Sequence, residues 1–157
     1  MADKRYRPNV AAVVLSSGYP AETKVFIGLR SDMRDVWQFP QGGIDDDESP
    51  RDALLRELEE EIGTGNVEIV SEYPDWEYYD FPDGAAKNKK LYNYNGQKQK
   101  YFLVRLKNDS EVNINTEHPE FSEFKFVKFD TVFEFISHFK KPIYKKVLAY
   151  FRREGFV

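Results

Sequence analysis

The sequence predicts an α/β fold: a three-layer α/β/α sandwich with a mixed sheet between helices. Three observations point there. Short β-branched and aromatic runs recur along the whole chain, one well-capped helix sits in mid-chain, and an amphipathic helix closes it. With 157 residues, 41% apolar and 16% aromatic, the chain suits one domain, residues 1–157, with a substantial core.

Residues 8–15 (PNVAAVVL) form an apolar run of strand length, and Gly18-Tyr19-Pro20 turns the chain. Residues 24–30 alternate with Val25, Ile27 and Leu29 inward, so the two runs predict a hairpin. Trp37-Gln38-Phe39-Pro40 reads as a short extended piece, with Trp37 anchoring it in the core, and Gln41-Gly42-Gly43 as a turn. A helix follows over residues 50–62. Ser49 is its N-cap, Pro50 occupies the first turn, Asp52 lies three residues on, and Gly63 stops it. Strands are predicted at 67–73, 76–81, 99–106, 112–115 and 124–129, and a short helix at 132–139. In the last stretch Ile143, Tyr144, Val147, Leu148 and Phe151 share one helical face.

Composition excludes several kinds of chemistry. There is no cysteine, hence no disulfide, thiolate metal site or cysteine nucleophile, and two histidines are too few for a multi-histidine metal site. No apolar run reaches the roughly 18 residues of a membrane span, and the polar start lacks a secretory core, so a cytoplasmic monomer away from membranes is expected. The net charge of −4 is uneven. Residues 45–61 carry nine acids against two arginines, while 87–100 holds five lysines and 138–153 six Lys or Arg without an acid. An acidic block in a basic surround suits divalent cations and a bound polyanion together.

On the helix, Leu55, Leu58 and Ile62 fall on one side and are expected to face the sheet. Glu57, Glu60 and Glu61 lie within about 100° of each other on a different side. Three carboxylates so close repel one another, and Mg²⁺ or Mn²⁺ relieves that repulsion with oxygen ligands. Arg56 is placed to orient a carboxylate, and Glu48 to brace the preceding loop. As a charge run alone, this would equally fit a solvated helix face.

The spacing decides between them. Gly42, Glu48, Arg56-Glu57-Leu58, Glu60-Glu61 and Gly63 resemble the Nudix box, here residues 42–64, the signature of hydrolases of nucleoside diphosphates linked to another moiety. Seven identity-fixed positions match, which ordinary residue usage produces about once in 10⁸ start points. Thr64 departs from the pattern, where an apolar residue is usual. Arg7-Pro8-Asn9-Val10, Trp37 to Ile44, Gly96 to Lys100 and Phe139 to Tyr144 resemble one branch of that family, the bacterial RNA pyrophosphohydrolases, similar to plant-type dinucleoside polyphosphate hydrolases. The likeness runs in order along nearly the whole chain and is weakest over residues 80–94.

The resemblance implies that Glu57, Glu60 and Glu61 hold Mg²⁺, with Mn²⁺ able to substitute, and that Glu120 completes the set from outside the box. Members of that family differ in the general base; here Glu57 is the first candidate and Glu120 the second. Arg7, Arg30, Lys98 and Lys140 are candidate cations for the polyphosphate, Lys98 and Lys140 lying inside the matched motifs. Lys100 and Lys141 belong to the same wider set, and Tyr79 is the nucleotide-contacting aromatic. His118 and His138 are read as loop and helix-surface residues without a catalytic part.

The leading expectation is Mg²⁺-dependent removal of pyrophosphate from 5′-triphosphorylated RNA, leaving a 5′-monophosphate and promoting RNA decay. The alternative is asymmetric cleavage of dinucleoside polyphosphates such as diadenosine tetraphosphate. The basic tracts favour RNA, and the Tyr-rich stretch 76–81 favours a second base. A silent binder would have lost a box glutamate, and a mononucleotide hydrolase would lack the 97–100 and 139–141 motifs.

Overall fold

The computed structural model describes residues 5–81 and 94–157. Half of the basic tract at 87–100, and most of the stretch where the resemblance is weakest, lie outside them. In chain order the elements are β1 (Tyr6–Leu15), β2 (Lys24–Arg30), β3 (Trp37–Gln38), β4 (Gln41–Gly43), α1 (Pro50–Ile62), β5 (Val67–Glu72), β6 (Glu77–Asp80), β7 (Gly96–Leu106), β8 (Phe121–Lys128) and α2 (Lys141–Arg153).

The sheet runs β3-β2-β1-β7-β5, with β4 also on β1, β6 on β7 and β8 on β2. β1 and β7 pair in parallel from Tyr6↔Gly96 to Leu15↔Arg105, and the other described pairs are antiparallel. Alternation along β1 feeds two cores. Val10, Ala12 and Val14 meet Leu54, Leu58 and Ile62 of α1. Ala11, Val13 and Leu15 share the other core with Tyr144, Val147, Leu148 and Phe151 of α2. The helices therefore cover opposite faces, and the expected mixed α/β/α sandwich is present.

α1 has the predicted bounds and caps. The Ser49 side chain accepts from Asp52 N–H, and Gly63 closes the helix with φ 81°, its N–H donating to Glu59 O. Such an N-cap contributes about 1 kcal/mol. A side chain at Gly63 would be left-handed and would also meet the Asn113 backbone.

Five local expectations are corrected. Leu55 is exposed and Leu54 takes its place in the core, because the buried arc of α1 centres on Leu54, Leu58, Glu61 and Ile62. Gln41-Gly42-Gly43 is not a turn but strand β4, paired as Ala11↔Gln41 to Asn9↔Gly43. Its glycines serve close approach: a Cβ on Gly42 would overlap the Glu57 carboxyl, and one on Gly43 the Arg7 guanidinium. The β1–β2 hairpin narrows to Leu15↔Val25, since β4 takes up the other end of that edge of β1. Residues 112–115 make no ladder. Val112 and Ile114 pack on the α1-side core, and Asn113 N–H caps Ile62 O. The helix expected at 132–139 is a 3₁₀ turn over Phe129–Glu134. Beyond it the chain is pinned by His138, whose Nε2 lies 3.0 Å from Trp37 O.

Candidate active site

Two groups of side chains meet around β4. The first is acidic. The Glu57 carboxyl packs over Gly42 and accepts from Arg56 Nη1 at 2.9 Å. Burial outweighs that contact and pushes it up to about 7. Glu61 lies on the sheet side of α1, 9% exposed, and its Oε2 accepts from Gln41 N–H at 3.1 Å. Burial, then the charges of Glu120 and Glu57, raise its carboxyl well above the ordinary value. Glu60 is exposed and within reach of Arg56 at 3.2 Å. Glu120 is exposed just before β8, tied through its carbonyl to Ser31 N–H at 2.9 Å.

Glu57, Glu60, Glu61 and Glu120 line one groove of about 510 Å³ together with Glu59, Thr116, Glu117 and His118. Among the described residues no three of these groups converge as a finished metal cage. Arg56 draws Glu57 and Glu60 to itself and the Gln41 amide holds Glu61. The donor set nevertheless suits a hard divalent cation. A nearly buried carboxylate is burdened by two neighbouring carboxylates, and Thr116 Oγ1 is buried in the same groove without a hydrogen-bond partner among the described residues.

Arg56 organises this side. Its Nε and Nη2 fork onto Glu48 at 2.7 Å each, and Nη2 also donates to Gly43 O at 2.9 Å. The fork holds the Glu48 carboxyl down at about 2. Glu48 also accepts from Asp45 N–H, so it braces the loop as expected.

The second group lies on the α2 face. Lys140 is 4% exposed and its Nζ donates to Gln41 Oε1. Burial and the Arg30 charge lower it to about 7, against the opposing pull of Glu61 and Glu120. The Lys140 ammonium lies 5.4 Å from the centre of the Tyr79 ring, and Phe139 packs edge-on against the same ring. Tyr79 OH donates to Gln97 Oε1, and burial raises its hydroxyl. Arg30 carries a bidentate contact to Asp32 at 2.6 and 2.8 Å. Arg7 stands beside β4: its guanidinium lies against Gly43, and its charge is felt at Glu57.

Lys98 stands apart from Tyr79 and Lys140. It pairs with Tyr78 in the ladder, which puts it on the α1 face, its ammonium 4.8 Å from the Trp76 ring centre. His138 is not a helix-surface residue either. It is half-buried, its Nδ1 accepts from Lys140 N–H and its Nε2 therefore donates to Trp37 O. Burial, then the Lys140 charge, lowers it to about 4.

Sequence reasoning missed the link between the groups. Gln99, fully buried, donates to Asn9 Oδ1 at 2.9 Å and Gln41 Oε1 at 2.7 Å, and accepts from Tyr101 OH at 2.7 Å. Gln41 thus meets Glu61 through its amide and Lys140 through its side chain. Asn9, Gln97 and Gln99 occupy inward strand positions, where an amide is a signal in its own right. A separate cavity of about 380 Å³ lies at Glu22, Lys24, Lys128 and Arg152. Lys24 and Arg152 there are paired with Glu22 and Asp130.

A profile of the NUDIX domain matches residues 5–151. The chain belongs to the Nudix family. Within that family it is 57% identical over 156 residues to an RNA pyrophosphohydrolase of a Nitratiruptor species, covering 99% of each chain. It is 60% identical over 155 residues to an RNA pyrophosphohydrolase of Campylobacter jejuni subsp. jejuni, covering 99% of this chain and 98% of that one. It is 48% identical over 157 residues to an RNA pyrophosphohydrolase of Helicobacter pylori, covering 100% of both. Among solved structures, an Ap4A hydrolase of C. elegans shares the Nudix fold at TM-score 0.66 and 16% identity, over 92% of this chain and 96% of that one.

Proposed function

We propose that this Nudix protein hydrolyses 5′-triphosphorylated RNA, releasing pyrophosphate and leaving the 5′-monophosphate end from which decay proceeds. The observation that carries the chemistry is Glu61, buried at the sheet end of one groove with Glu57, Glu60 and Glu120. The substrate class rests on the full-length relatives at 48–60% identity, each named an RNA pyrophosphohydrolase.

Glu57, Glu60, Glu61 and Glu120 would hold Mg²⁺, or Mn²⁺ in its place. When bound, the ions neutralise the non-bridging phosphate oxygens and acidify a water. Arg56 fixes the carboxylates of Glu57 and Glu60 from behind. Glu57, packed over Gly42, takes the proton of the attacking water, with Glu120 as the other candidate. Lys140, aimed by Gln41, and Arg7 and Arg30 face the polyphosphate, while Lys98 serves the chain beyond it. Tyr79 holds the base. No described helix is long and apolar enough to cross a membrane, and we place the enzyme in the cytoplasm as a monomer.

The Tyr79–Phe139 pair beside Lys140 favours a second reading, cleavage of dinucleoside polyphosphates, because it offers a stacking surface next to the phosphate cations. The test of the leading reading follows the RNA 5′ end by its sensitivity to a 5′-monophosphate-dependent exonuclease. Conversion should require Mg²⁺ and disappear with EDTA or in Glu61→Gln. Conversion that persists in Glu61→Gln would remove the groove from the chemistry.

A further inference from the structure

Trp76 and Tyr78 have no part in the chemistry described above, yet with Lys98 they form a built surface. In the β6–β7 ladder Tyr78 stands opposite Lys98, on the sheet face that α1 covers farther along β7, at Phe102, Val104 and Leu106. Lys98 and Lys100 both direct their ammonium groups at the Trp76 ring, 4.8 and 5.9 Å from its centre. Tyr78 is 53% exposed and held edge-on by Tyr6, ring centres 5.1 Å apart. Lys100 is tied to Glu72 at 3.4 Å and to Pro74 O at 3.0 Å. Lys98 forms no ion pair among the described residues.

The position relative to the acidic groove matters most. Gly42, Val10 and Lys100 are aligned across β4, β1 and β7. Lys100 therefore stands two strand spacings, about 10 Å, from the Gly42 position over which Glu57 packs. Lys98 lies one pleat, about 7 Å, farther along the same face. The surface is on the side of the sheet that carries Glu57, within a few nucleotides of it. Lys140 and Tyr79 lie on the other side.

We infer that Trp76 and Tyr78, with the Lys98 ammonium, form a stacking platform for the single-stranded RNA downstream of the reacting 5′ end. The inference rests on the RNA reading of the active site. An aromatic face accepts any base, and a lysine beside it accepts the intervening phosphate, so the platform holds RNA by length and not by sequence. A dinucleoside polyphosphate carries a single nucleoside beyond its phosphates and can offer the platform at most one base, where RNA offers several. The platform thus supplies a physical reason for a chain with this groove to prefer RNA over the smaller substrate.

Two measurements test it. The KM for a 5′-triphosphorylated 12-mer should lie below that for a triphosphorylated dinucleotide, and Trp76→Ala should erase about tenfold of that advantage. A length advantage that persists in Trp76→Ala overturns the platform. Anisotropy with a 5′-hydroxyl 12-mer needs no pyrophosphate chemistry, so it separates failure of the platform from failure of the active-site reading. Tyr78→Ala should weaken that binding several-fold, and Lys98→Gln should flatten its salt dependence by about 0.7 in log–log slope. Both are surface changes that spare the fold should Trp76→Ala not survive. Binding unchanged in both variants overturns the proposal.

Discussion

Arg56→Met keeps the aliphatic stem and removes the guanidinium that joins the acidic loop to α1. Two of its contacts are sheltered enough to weigh. The bond to Glu57 joins side chains 30% and 15% exposed, and the bond to Gly43 O ties the box to β4. Charge-assisted bonds of this kind contribute about 1.5 to 3 kcal/mol each, and exposure places both in the lower half of that range. Their joint loss should cost about 3 kcal/mol, a fall in Tm of about 6 to 12 °C for a domain of this size. The assay is thermal unfolding by circular dichroism at pH 8 with EDTA. In the wild type Glu57, with its carboxyl near 7, is then charged and bonded to the arginine, and no ion replaces the arginine in the variant. Combining the change with Glu57→Gln should recover part of the loss, because the buried carboxyl left without its partner is gone. Activity at fixed Mg²⁺ should fall about 10- to 100-fold, with the Mg²⁺ requirement shifted upward. A Tm loss below 2 °C with an unchanged Mg²⁺ dependence would refute the reasoning.

Gly42→Ala places a Cβ inside the Glu57 carboxyl. It should cut turnover at least 100-fold while far-UV circular dichroism stays native, and near-wild-type turnover would show that Glu57 tolerates displacement. Gln99→Met removes the partner of Asn9, Gln41 and Tyr101 together. The orphaned polar groups should cost about 2 to 4 kcal/mol in denaturant unfolding and raise KM through the released Lys140, whereas an unchanged KM would leave Gln99 a packing residue only. His138, lowered to about 4 by burial, takes up protons more readily unfolded than folded between pH 6.5 and 4. Its contribution is therefore present above pH 6.5 and lost as pH falls, so His138→Asn should flatten the stability decline from pH 6.5 to 5. An unaltered decline contradicts that role.

What the sequence shows and what it hides have physical causes. The bounds of α1 were legible because Ser49, Pro50 and Gly63 act locally, through caps that need no tertiary partner. Glu57, Glu60 and Glu61 were legible for a related reason: they sit within five residues of one helix, where spacing fixes direction. The Gln41–Gln99–Lys140 link was not, since its members lie 58 and 99 residues apart and meet only once β1 and β7 pair in parallel. The same pairing sends Lys98 to one face and Gln97 and Gln99 to the other, which neighbouring letters in a motif do not reveal. Leu55 and the 112–115 run carry apolar patterns that fit a buried face and a strand. Packing chose Leu54 for the core, and Asn113 joined the end of α1 in place of a ladder.

The most direct measurement offers the pure protein equal concentrations of a 5′-triphosphorylated RNA 12-mer and diadenosine tetraphosphate with Mg²⁺, beside Glu61→Gln. Competing initial rates and released phosphate species give the ratio of kcat/KM values. The groove, Lys140 and the downstream platform together predict preferential conversion of the RNA to its 5′-monophosphate with release of pyrophosphate, and no conversion in the variant. Preference for the dinucleotide, or equal slow turnover in wild type and variant, would contradict the assignment of RNA as the substrate.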